Sequence, residues 1–257
     1  MGILNVTPDS FSDGGKFNQV DAALKRIEEM IEEGAAIIDI GGESTRPGAE
    51  PVSVHEEMER VIPILEKAIP KYTGTFFSID TTKYEVARQA LEAGAHFIND
   101  VSGLQEEPRF VDLCKAFEAG LIIMHSQGTP ETMQDDPSYN EVVSDIRDFF
   151  KKQLKKCRGL DNIILDPGIG FGKTQQHNIE IIKNLDKFHN LGYPLMVGAS
   201  RKSMIGRLLN NRDVDDRIIG SVVVHYHAMA KGAKIIRVHD VKEANDSILV
   251  YNALIGN

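Results

Sequence analysis

A glycine-rich stretch, Asp166 to Lys173, has the residue types needed to hold a small molecule. An apolar run at 162–165 precedes it and has the composition of a buried strand. Asp166 comes where this strand must end, because Pro167 has no N–H to donate to a ladder. Three glycines, Phe171 and Lys173 follow. We therefore predict an acid, a ring and a cation around a ligand. The alternative is a glycine-rich turn with a hydrogen-bonded aspartate.

Neither of the common phosphate-binding glycine motifs fits this stretch. A P-loop requires glycine at the position that Pro167 occupies here. The dinucleotide fingerprint has the spacing G-x-G-x-x-G, whereas residues 168–172 have the spacing G-x-G-x-G. The stretch alone does not identify the ligand, so the residues at the ends of the other strands must be considered as well.

A weak internal repeat indicates that several strands end in polar residues. Each copy has a glycine typical of a helix C-terminus, then a short apolar run, then a polar residue. The copies are residues 33–39, 93–100, 119–125 and 231–239. Four more apolar runs match the strand half of the repeat: 3–5, 76–80, 163–166 and 195–198. The sequence therefore predicts eight strands.

Helices are predicted in the gaps between these strands. Apolar residues recur at helical spacing in 20–31, 142–154 and 179–185, and further helices are predicted at 204–209, 218–229 and 241–254. Ser53, Thr82 and Ser138 each precede a glutamate by three residues, which is the pattern of a capping box at a helix start.

The alternation of eight strands with helices in 257 residues predicts an α/β protein with the (β/α)8 fold of a TIM barrel. A doubly wound open sheet is the alternative. No linker or change in composition divides the chain, so we expect residues 1–257 to form a single domain. In such barrels the active site lies at the C-terminal ends of the strands, which makes every polar strand end a candidate.

Composition argues against several classes of protein. The net charge is −9 and the pI about 5.4, with no basic patch, which argues against nucleic acid as a partner. No apolar run is long enough to cross a membrane, and no signal peptide precedes the first strand. Cys114 and Cys157 form no metal-binding or redox motif, so we expect free thiols in a reducing compartment, the cytoplasm.

One group of strand ends is suited to a flat heterocycle. Asp80, Asn99 and Asp166 offer acceptors for ring N–H groups, and Lys202 can face a ring carbonyl. The alternatives are a helix-capping role for Asp80 and a hydrogen-bonded strand-end pair for Asn99. His125 is interpreted as structural, because no second histidine lies at metal-ligand spacing.

A second group of polar residues is suited to phosphate. Arg46 lies in a loop rich in Gly and Pro, and Arg237 and His239 are two apart on the last strand, so they should point the same way. Asn5 supplies a neutral oxygen for Mg²⁺, which takes few protein ligands when a substrate phosphate provides the rest. Turn-forming or surface roles are the alternatives for these residues. No G-x-S-x-G pattern supports covalent catalysis.

Six motifs together resemble the dihydropteroate synthases of folate biosynthesis, a pterin-binding family, over essentially the whole chain. They are residues 5–15 (NVTPDSFSDGG), 39–48 (DIGGESTRPG), 98–100 (IND), 166–173 (DPGIGFGK), 200–203 (SRKS) and 237–239 (RVH). The resemblance implies a transferase that condenses 6-hydroxymethyl-7,8-dihydropterin diphosphate with 4-aminobenzoate. The products are 7,8-dihydropteroate and diphosphate. Sulfonamides act on the family as mimics of the aminobenzoate.

The resemblance also implies a role for each matching residue. Catalysis is assigned to Asp80, Lys202 and Asn5. The residues that would bind the pterin are Asp80, Asn99, Met124, Asp166 and Lys202. Those that would bind diphosphate are Asn5, Arg46, Arg237 and His239, with Asn5 also binding Mg²⁺. The aminobenzoate pocket would be formed by Phe11, Thr45, Pro47, Phe171 and Ser203.

Family behaviour implies that diphosphate leaves first, in an SN1-like route, and that the enzyme is a homodimer. Family members usually have a short segment before the first strand, and its lack here is expected to affect stability more than activity. Two other functions are weighed: a corrinoid-linked methyltransferase that uses methyltetrahydrofolate, and a non-catalytic paralogue that binds pterin. The basic diphosphate cluster argues against the methyltransferase, which has no need for it. The paralogue is disfavoured because a complete set of site residues argues against decay: Asn5, Arg46, Lys202, Arg237 and His239.

Overall fold

A computed structural model describes residues 1–7, 16–44, 51–128 and 132–255. Parallel strands alternate with helices along the chain. The strands are β1 Gly2–Asn5, β2 Ile37–Gly41, β3 Phe76–Asp80, β4 Phe97–Asp100, β5 Gly120–Met124, β6 Ile163–Asp166, β7 Met196–Val197 and β8 Ile235–Ile236. The helices are α1 Lys16–Glu32, α2 Val54–Lys71, α3 Tyr84–Glu92, α4 Phe110–Ala116, α5 Val142–Leu154, α6 Gln175–Lys183, α7 Ser203–Leu208, α8 Ile218–Ala230 and α9 Val241–Ile255. Two short 3-10 helices are Leu185–Leu191 and Val214–Arg217. None of the helices within these ranges is both long and apolar enough to span a bilayer.

The eight strands form a closed ring. β1 to β6 pair in chain order as one parallel sheet, and β7 pairs with β8. The N–H of Ile3 donates to the carbonyl of Val238 at 2.9 Å, which joins β1 to the segment after β8. The N–H of Leu165 donates to the carbonyl of Pro194 at 2.9 Å, which joins β6 to the segment before β7. The predicted TIM barrel is therefore confirmed, and the open sheet is wrong.

An apolar layer fills the inside of the barrel and forms the floor of the site. It is separate from the larger core between strands and helices and consists of Ile122, Ile164 and Met196, packed by Met1, Phe97 and Ile235. Asn99, Met124 and Asp166 each lie two residues beyond a member of this layer on the same strand. Because side chains two apart on a strand share a face, these three residues project above the apolar floor.

Two of the three predicted capping boxes are wrong. The Ser53 hydroxyl does accept the Glu56 N–H at 3.2 Å, as predicted for α2. At α3 the N-cap is Lys83, whose N–H donates to Thr81 at 3.2 Å, so Thr82 does not cap. At α5 the cap is Glu141 itself, which accepts the N–H of Ser144 at 2.7 Å. At α5 the Glu141 carboxylate takes the role predicted for Ser138, whereas no side chain caps the first N–H groups of α3.

Candidate active site

Residues of β2, β3 and β4, with the residue that follows β8, form a continuous hydrogen-bonded network inside the barrel. The Arg237 guanidinium donates from Nε to Asp39 Oδ2 at 2.6 Å and from Nη2 to Asp80 Oδ2 at 2.8 Å. The Asn99 amide donates from Nδ2 to the same Asp39 oxygen at 2.9 Å. The structure thus brings together three of the predicted site residues, Asp80, Asn99 and Arg237. The residue that joins them, Asp39, was not predicted as a site residue.

Asp39 was missed because it lies inside the apolar run of β2, Ile37–Gly41. A carboxylate between isoleucines on a buried strand is itself a signal, since a charge is almost never fully buried unless it is paired. Its side chain is 0% exposed. The strand period places it on the opposite face from Ile38 and Ile40, which pack in the outer core.

Asp80 is held in an environment that opposes its ionisation. Its pKa is raised to about 7, mainly by burial and also by the nearby charges of Asp39 and Glu57. The Arg237 guanidinium acts against this rise. A carboxylate whose pKa is shifted to near 7 at a strand end is typical of an active site.

Asp166 ends β6 in a turn that only glycine can make. Its Oδ1 accepts the N–H of Gly168 at 2.8 Å, across Pro167. Gly168 has a φ of 68°, and a Cβ there would lie 2.0 Å from the carbonyl oxygen of His125. Burial raises the pKa of Asp166, and the charge of Lys202 opposes the rise. The predicted strand-terminating aspartate is therefore a buried acceptor beside a cation.

The cation beside the aromatic ring is Lys202, not Lys173. The Lys202 ammonium lies 4.4 Å from the centroid of the Phe171 ring and donates to the Ile169 carbonyl. Burial lowers its pKa to about 8, and the carboxylate of Asp166 works in the opposite direction. The prediction of an acid, a ring and a cation around one space is met, but two loops supply it, after β6 and after β7.

Arg201 fixes the backbone that carries Lys202. It has a φ of 56°, a left-handed conformation that costs energy outside glycine. Its backbone N–H donates to Ser221 at 2.9 Å, and its side chain donates to Asp240 at 3.0 Å and to Asp215 at 2.9 Å. These bonds tie the loop after β7 to α8 and to the segment after β8, and so hold Lys202 in place.

Lys173 joins the loops after β5 and β6 from inside the protein. Its side chain is buried, and its Nζ lies 3.0 Å from His125 Nδ1, 3.2 Å from the His125 carbonyl and 2.9 Å from the Phe171 carbonyl. Burial lowers its pKa well below the usual range of a lysine. The pKa of His125 falls to about 2, also from burial first and then from Lys173. His125 thus has the structural contacts predicted for it.

Replacing Lys173 with methionine should destabilise the fold. The variant leaves two buried carbonyls and a ring nitrogen without their donor, at a cost of about 3 kcal/mol of unfolding free energy. The matched control is Lys151→Met, since Lys151 is 54% exposed and pairs only with Asp148 on the surface. The control should change stability by about 0.5 kcal/mol or less. Urea denaturation measures both, and equal midpoints would contradict the assigned role.

Three of the predicted phosphate-binding residues, Asn5, Arg237 and His239, lie around the mouth of the barrel. Asn5 ends β1, and its side-chain amide makes no hydrogen bond to any other residue that the structure describes. His239 Nδ1 lies 3.1 Å from the hydroxyl of Ser200. Ser203, predicted for the aminobenzoate pocket, is exposed at the start of α7. β8 is Ile235–Ile236, and the backbone beyond it stays paired in the barrel, because the N–H of Arg237 donates to the carbonyl of Val197 at 3.0 Å and the N–H of Val238 to that of Met1 at 2.9 Å. That Arg237 and His239 point the same way stays a prediction.

Four predicted residues lie outside the described part of the chain. They are Phe11, Thr45, Arg46 and Pro47. The described residues on either side of the second loop are tied together, because Glu43 accepts the N–H of Val52 at 2.8 Å. The Lys83 ammonium then lies 2.6 Å from Glu43 and 2.6 Å from the buried Glu57.

Residues 1–239 match the family described as pterin binding enzyme. The chain is 47% identical over 258 residues to a dihydropteroate synthase from Synechocystis, an alignment that covers 99% of this chain and 89% of that one.

Solved structures of dihydropteroate synthases superpose on this chain over almost its whole length. A Yersinia pestis dihydropteroate synthase in complex with a sulfonamide drug superposes with a TM-score of 0.91 at 45% identity, covering 99% of this chain and 93% of that one. A Xanthomonas albilineans dihydropteroate synthase in complex with 7,8-dihydropteroate superposes with a TM-score of 0.89 at 38% identity, covering 100% and 93%.

Proposed function

The chain belongs to the pterin binding enzyme family, and we propose that it acts as a dihydropteroate synthase. It would condense 6-hydroxymethyl-7,8-dihydropterin diphosphate with 4-aminobenzoate to give 7,8-dihydropteroate and diphosphate. The observation that carries the proposal is a set of acceptors above an apolar floor: the buried Asn99 and Asp166 and the partly buried Asp80, with Lys202 near both carboxylates. A flat ring with several N–H donors and one carbonyl matches that set.

The hydrogen bonds already made decide what each residue offers the pterin. Asn99 uses its Nδ2 on Asp39, so its amide oxygen is the atom left to accept a ring N–H. Asp166 uses one oxygen on the Gly168 N–H, and its carboxylate would accept from the ring N–H and the exocyclic amine. Met124 pairs with Asp166 in register and would pack against the ring. Lys202 would donate to the ring carbonyl.

The diphosphate is proposed to lie at the mouth of the barrel, toward Asn5 and His239, with Arg46 and Arg237. Arg237 already bonds two carboxylates, so its guanidinium would act on the diphosphate mainly through its charge. The two guanidinium groups would stabilise the negative charge that develops as the leaving group departs.

Asn5 fits a Mg²⁺ ion that arrives with the diphosphate. Its amide oxygen is of the hard type that Mg²⁺ prefers, and the amide is not engaged elsewhere in the described chain. No group of three or more His, Cys, Asp or Glu residues within the described ranges could hold a metal alone. The residues thus suit a cation shared with substrate phosphate. When bound, Mg²⁺ would supply neutralisation of diphosphate charge.

The bond changes follow from this placement. The methylene C–O bond breaks, and its electron pair leaves with the diphosphate. The resulting cation is shared between the methylene carbon and the pterin ring, and the Asp80 carboxylate stabilises it. The amine nitrogen of the aminobenzoate then forms the C–N bond and loses a proton to solvent. Phe171 and Ser203, with Phe11, Thr45 and Pro47, are proposed to shape the pocket for the aminobenzoate and for sulfonamides that mimic it.

Diphosphate release tests the function against its alternatives. Purified protein is mixed with the pterin diphosphate, Mg²⁺ and 4-aminobenzoate, and each component is omitted in turn. Release with formation of dihydropteroate only in the full mixture supports the synthase. Tight binding of the pterin diphosphate without product would favour the non-catalytic paralogue. Methyl transfer from methyltetrahydrofolate to a corrinoid, with no diphosphate chemistry, would favour the methyltransferase.

A homodimer is proposed from an apolar surface on the last two helices. Ile219 and Val223 on α8, and Val250 and Leu254 on α9, are each more than half exposed. Each pair is four residues apart and so shares one helix face. α8 and α9 pack against each other through Tyr226 and Tyr251, so the two pairs lie on neighbouring helices. Exposed apolar residues grouped in this way mark an interface, and a second copy that presents the same surface would cover it.

Placing a charge in that surface should separate the dimer. Ile219→Glu combined with Leu254→Glu should sediment as a monomer, whereas the wild type sediments as a dimer. The matched control, Phe117→Glu, introduces the same charge at an exposed apolar residue after α4 and should remain a dimer. A wild-type monomer, or a dimer that survives both substitutions, would contradict this interface.

The cytoplasm is the proposed location. Both cysteines, Cys114 and Cys157, are free and buried. Burial raises their thiol pKa values, to about 12 and about 11 respectively, which keeps them unreactive. This is consistent with a reducing compartment.

A further inference from the structure

We propose that Asp39 is a positioning residue of this site. One oxygen of its carboxylate, Oδ2, holds both the Arg237 guanidinium and the Asn99 amide in place before the substrate binds. The role deepens the proposed function and rests on it. Asp39 itself lies below the ligand and is not expected to touch the reacting atoms.

The geometry concentrates two contacts on one oxygen. Oδ2 of Asp39 lies 2.6 Å from Arg237 Nε and 2.9 Å from Asn99 Nδ2. Its other oxygen, Oδ1, is buried and has no hydrogen-bond partner among the described residues. A buried carboxylate that leaves one oxygen unpaired is costly, and the two contacts at Oδ2 offset part of that cost.

Asp39 lies midway between the two strands that it connects. Around the closed ring the order runs β8, β1, β2, β3 and β4, so β2 is two strands away from both β8 and β4. Arg237 follows β8 and Asn99 lies on β4. Neither residue is hydrogen-bonded to the other, and Asp39 is the acceptor that they share.

Fixing the Asn99 amide decides which of its ends the pterin meets. With Nδ2 bonded to Asp39, the amide oxygen is left as the acceptor for a ring N–H. If Asp39 were lost, the amide could rotate and present its NH₂ group to a ring donor. That mismatch would cost binding of the pterin ring in particular.

Holding Arg237 also sets the charge around Asp80. The charged groups that face Asp80 are Arg237 after β8, Asp39 on β2, Glu57 on α2 and Asp100 at the end of β4, together with Lys202 after β7. Arg237 lowers the pKa of Asp80, whereas Asp39, Glu57 and Asp100 raise it. Removing the Asp39 charge while keeping Arg237 in place should therefore lower the pKa of Asp80.

The substitution Asp39→Asn separates charge from hydrogen bonding. Asparagine can keep an oxygen at the Oδ2 position for both donors and place its NH₂ where Oδ1 has no partner. Asp39→Ala removes both. Ser78→Ala is the matched control: Ser78 pairs with Asp39 in register, is buried, and its hydroxyl has no hydrogen-bond partner in the described chain.

The test is the pH profile of kcat/KM for the pterin diphosphate, with KM and kcat measured separately. For Asp39→Asn we expect the acidic limb to move down by about 0.5–1 pH unit with KM changed less than about threefold. For Asp39→Ala we expect KM to rise about tenfold or more. Ser78→Ala should match the wild type. A fold check by circular dichroism precedes each assay, and if Asp39→Ala does not fold, Asp39→Asn decides.

The assays separate a failure of the proposed function from a failure of the positioning role. An inactive wild type overturns the proposed function and this role with it. An active wild type whose pH profile and KM are the same as those of Asp39→Asn, with Asp39→Ala equal to Ser78→Ala, overturns the positioning role alone.

Discussion

Asp80→Asn is expected to lower kcat by about 10²–10³-fold, because the variant loses the negative charge that stabilises the developing cation. The asparagine still offers an oxygen to Arg237, which now bonds Asp80 at 2.8 Å, so the site should keep its shape. Pterin affinity should change much less than kcat. An equal loss in both would mean that Asp80 contributes only uniform binding.

The pH dependence provides an independent check on Asp80. The ionised carboxylate is the active form, and burial raises its pKa to about 7. In the wild type kcat/KM should therefore fall as the pH drops through about 7, and this limb should be missing in Asp80→Asn. The control is Asp112→Asn, since the Asp112 side chain is 87% exposed on α4, and it should keep the wild-type rate and limb.

Asp166→Asn should weaken binding of the pterin diphosphate by about 10²–10³-fold. The amide would point an NH₂ group at ring donors that a carboxylate accepts. Leaving such buried donors unpaired costs more than losing one neutral hydrogen bond. The loss should appear in the dissociation constant measured by calorimetry, without any turnover.

The control for this variant lies at the other end of the same strand. Asp161 precedes β6, is exposed, and should tolerate Asp161→Asn with unchanged affinity. If the two variants bound the pterin equally well, Asp166 would not be the anchor of the ring. If both lost affinity, the effect would come from the strand and not from the carboxylate.

The sequence predicted the strands closely because each has an apolar run between clear stops. The bounds of β3, β4 and β6 agree with the predicted strands 76–80, 97–100 and 163–166. Asp80 and Asn99, near the ends of β3 and β4, are linked through Arg237 and Asp39. β8 was predicted as 235–239, and the observed strand is Ile235–Ile236, with backbone pairing that continues to Val238. The Arg237 side chain just beyond it bonds Asp39 and Asp80, which are far away in the sequence. Local patterns do not reveal such a long-range pairing.

The interior of the site was harder to predict for the same reason. Asp39 looked like one polar residue in a strand, and only the ring of strands shows that it faces Arg237 from the far end of the chain. Lys173 looked like a ligand cation because of its motif, yet it bonds His125 and Phe171 inside the protein. The cation expected beside the ligand is instead Lys202 in the loop after β7, whose ammonium lies over the Phe171 ring in the loop after β6.

The most direct test of the account is the mass of the product formed by the purified protein. Wild type and Asp166→Asn are purified identically and given the pterin diphosphate, 4-aminobenzoate and Mg²⁺, so that a contaminating synthase from the host would appear in both. The account predicts 7,8-dihydropteroate from the wild type at a rate at least about 10²-fold above the variant. No product from the wild type, or equal product from both proteins, would contradict it.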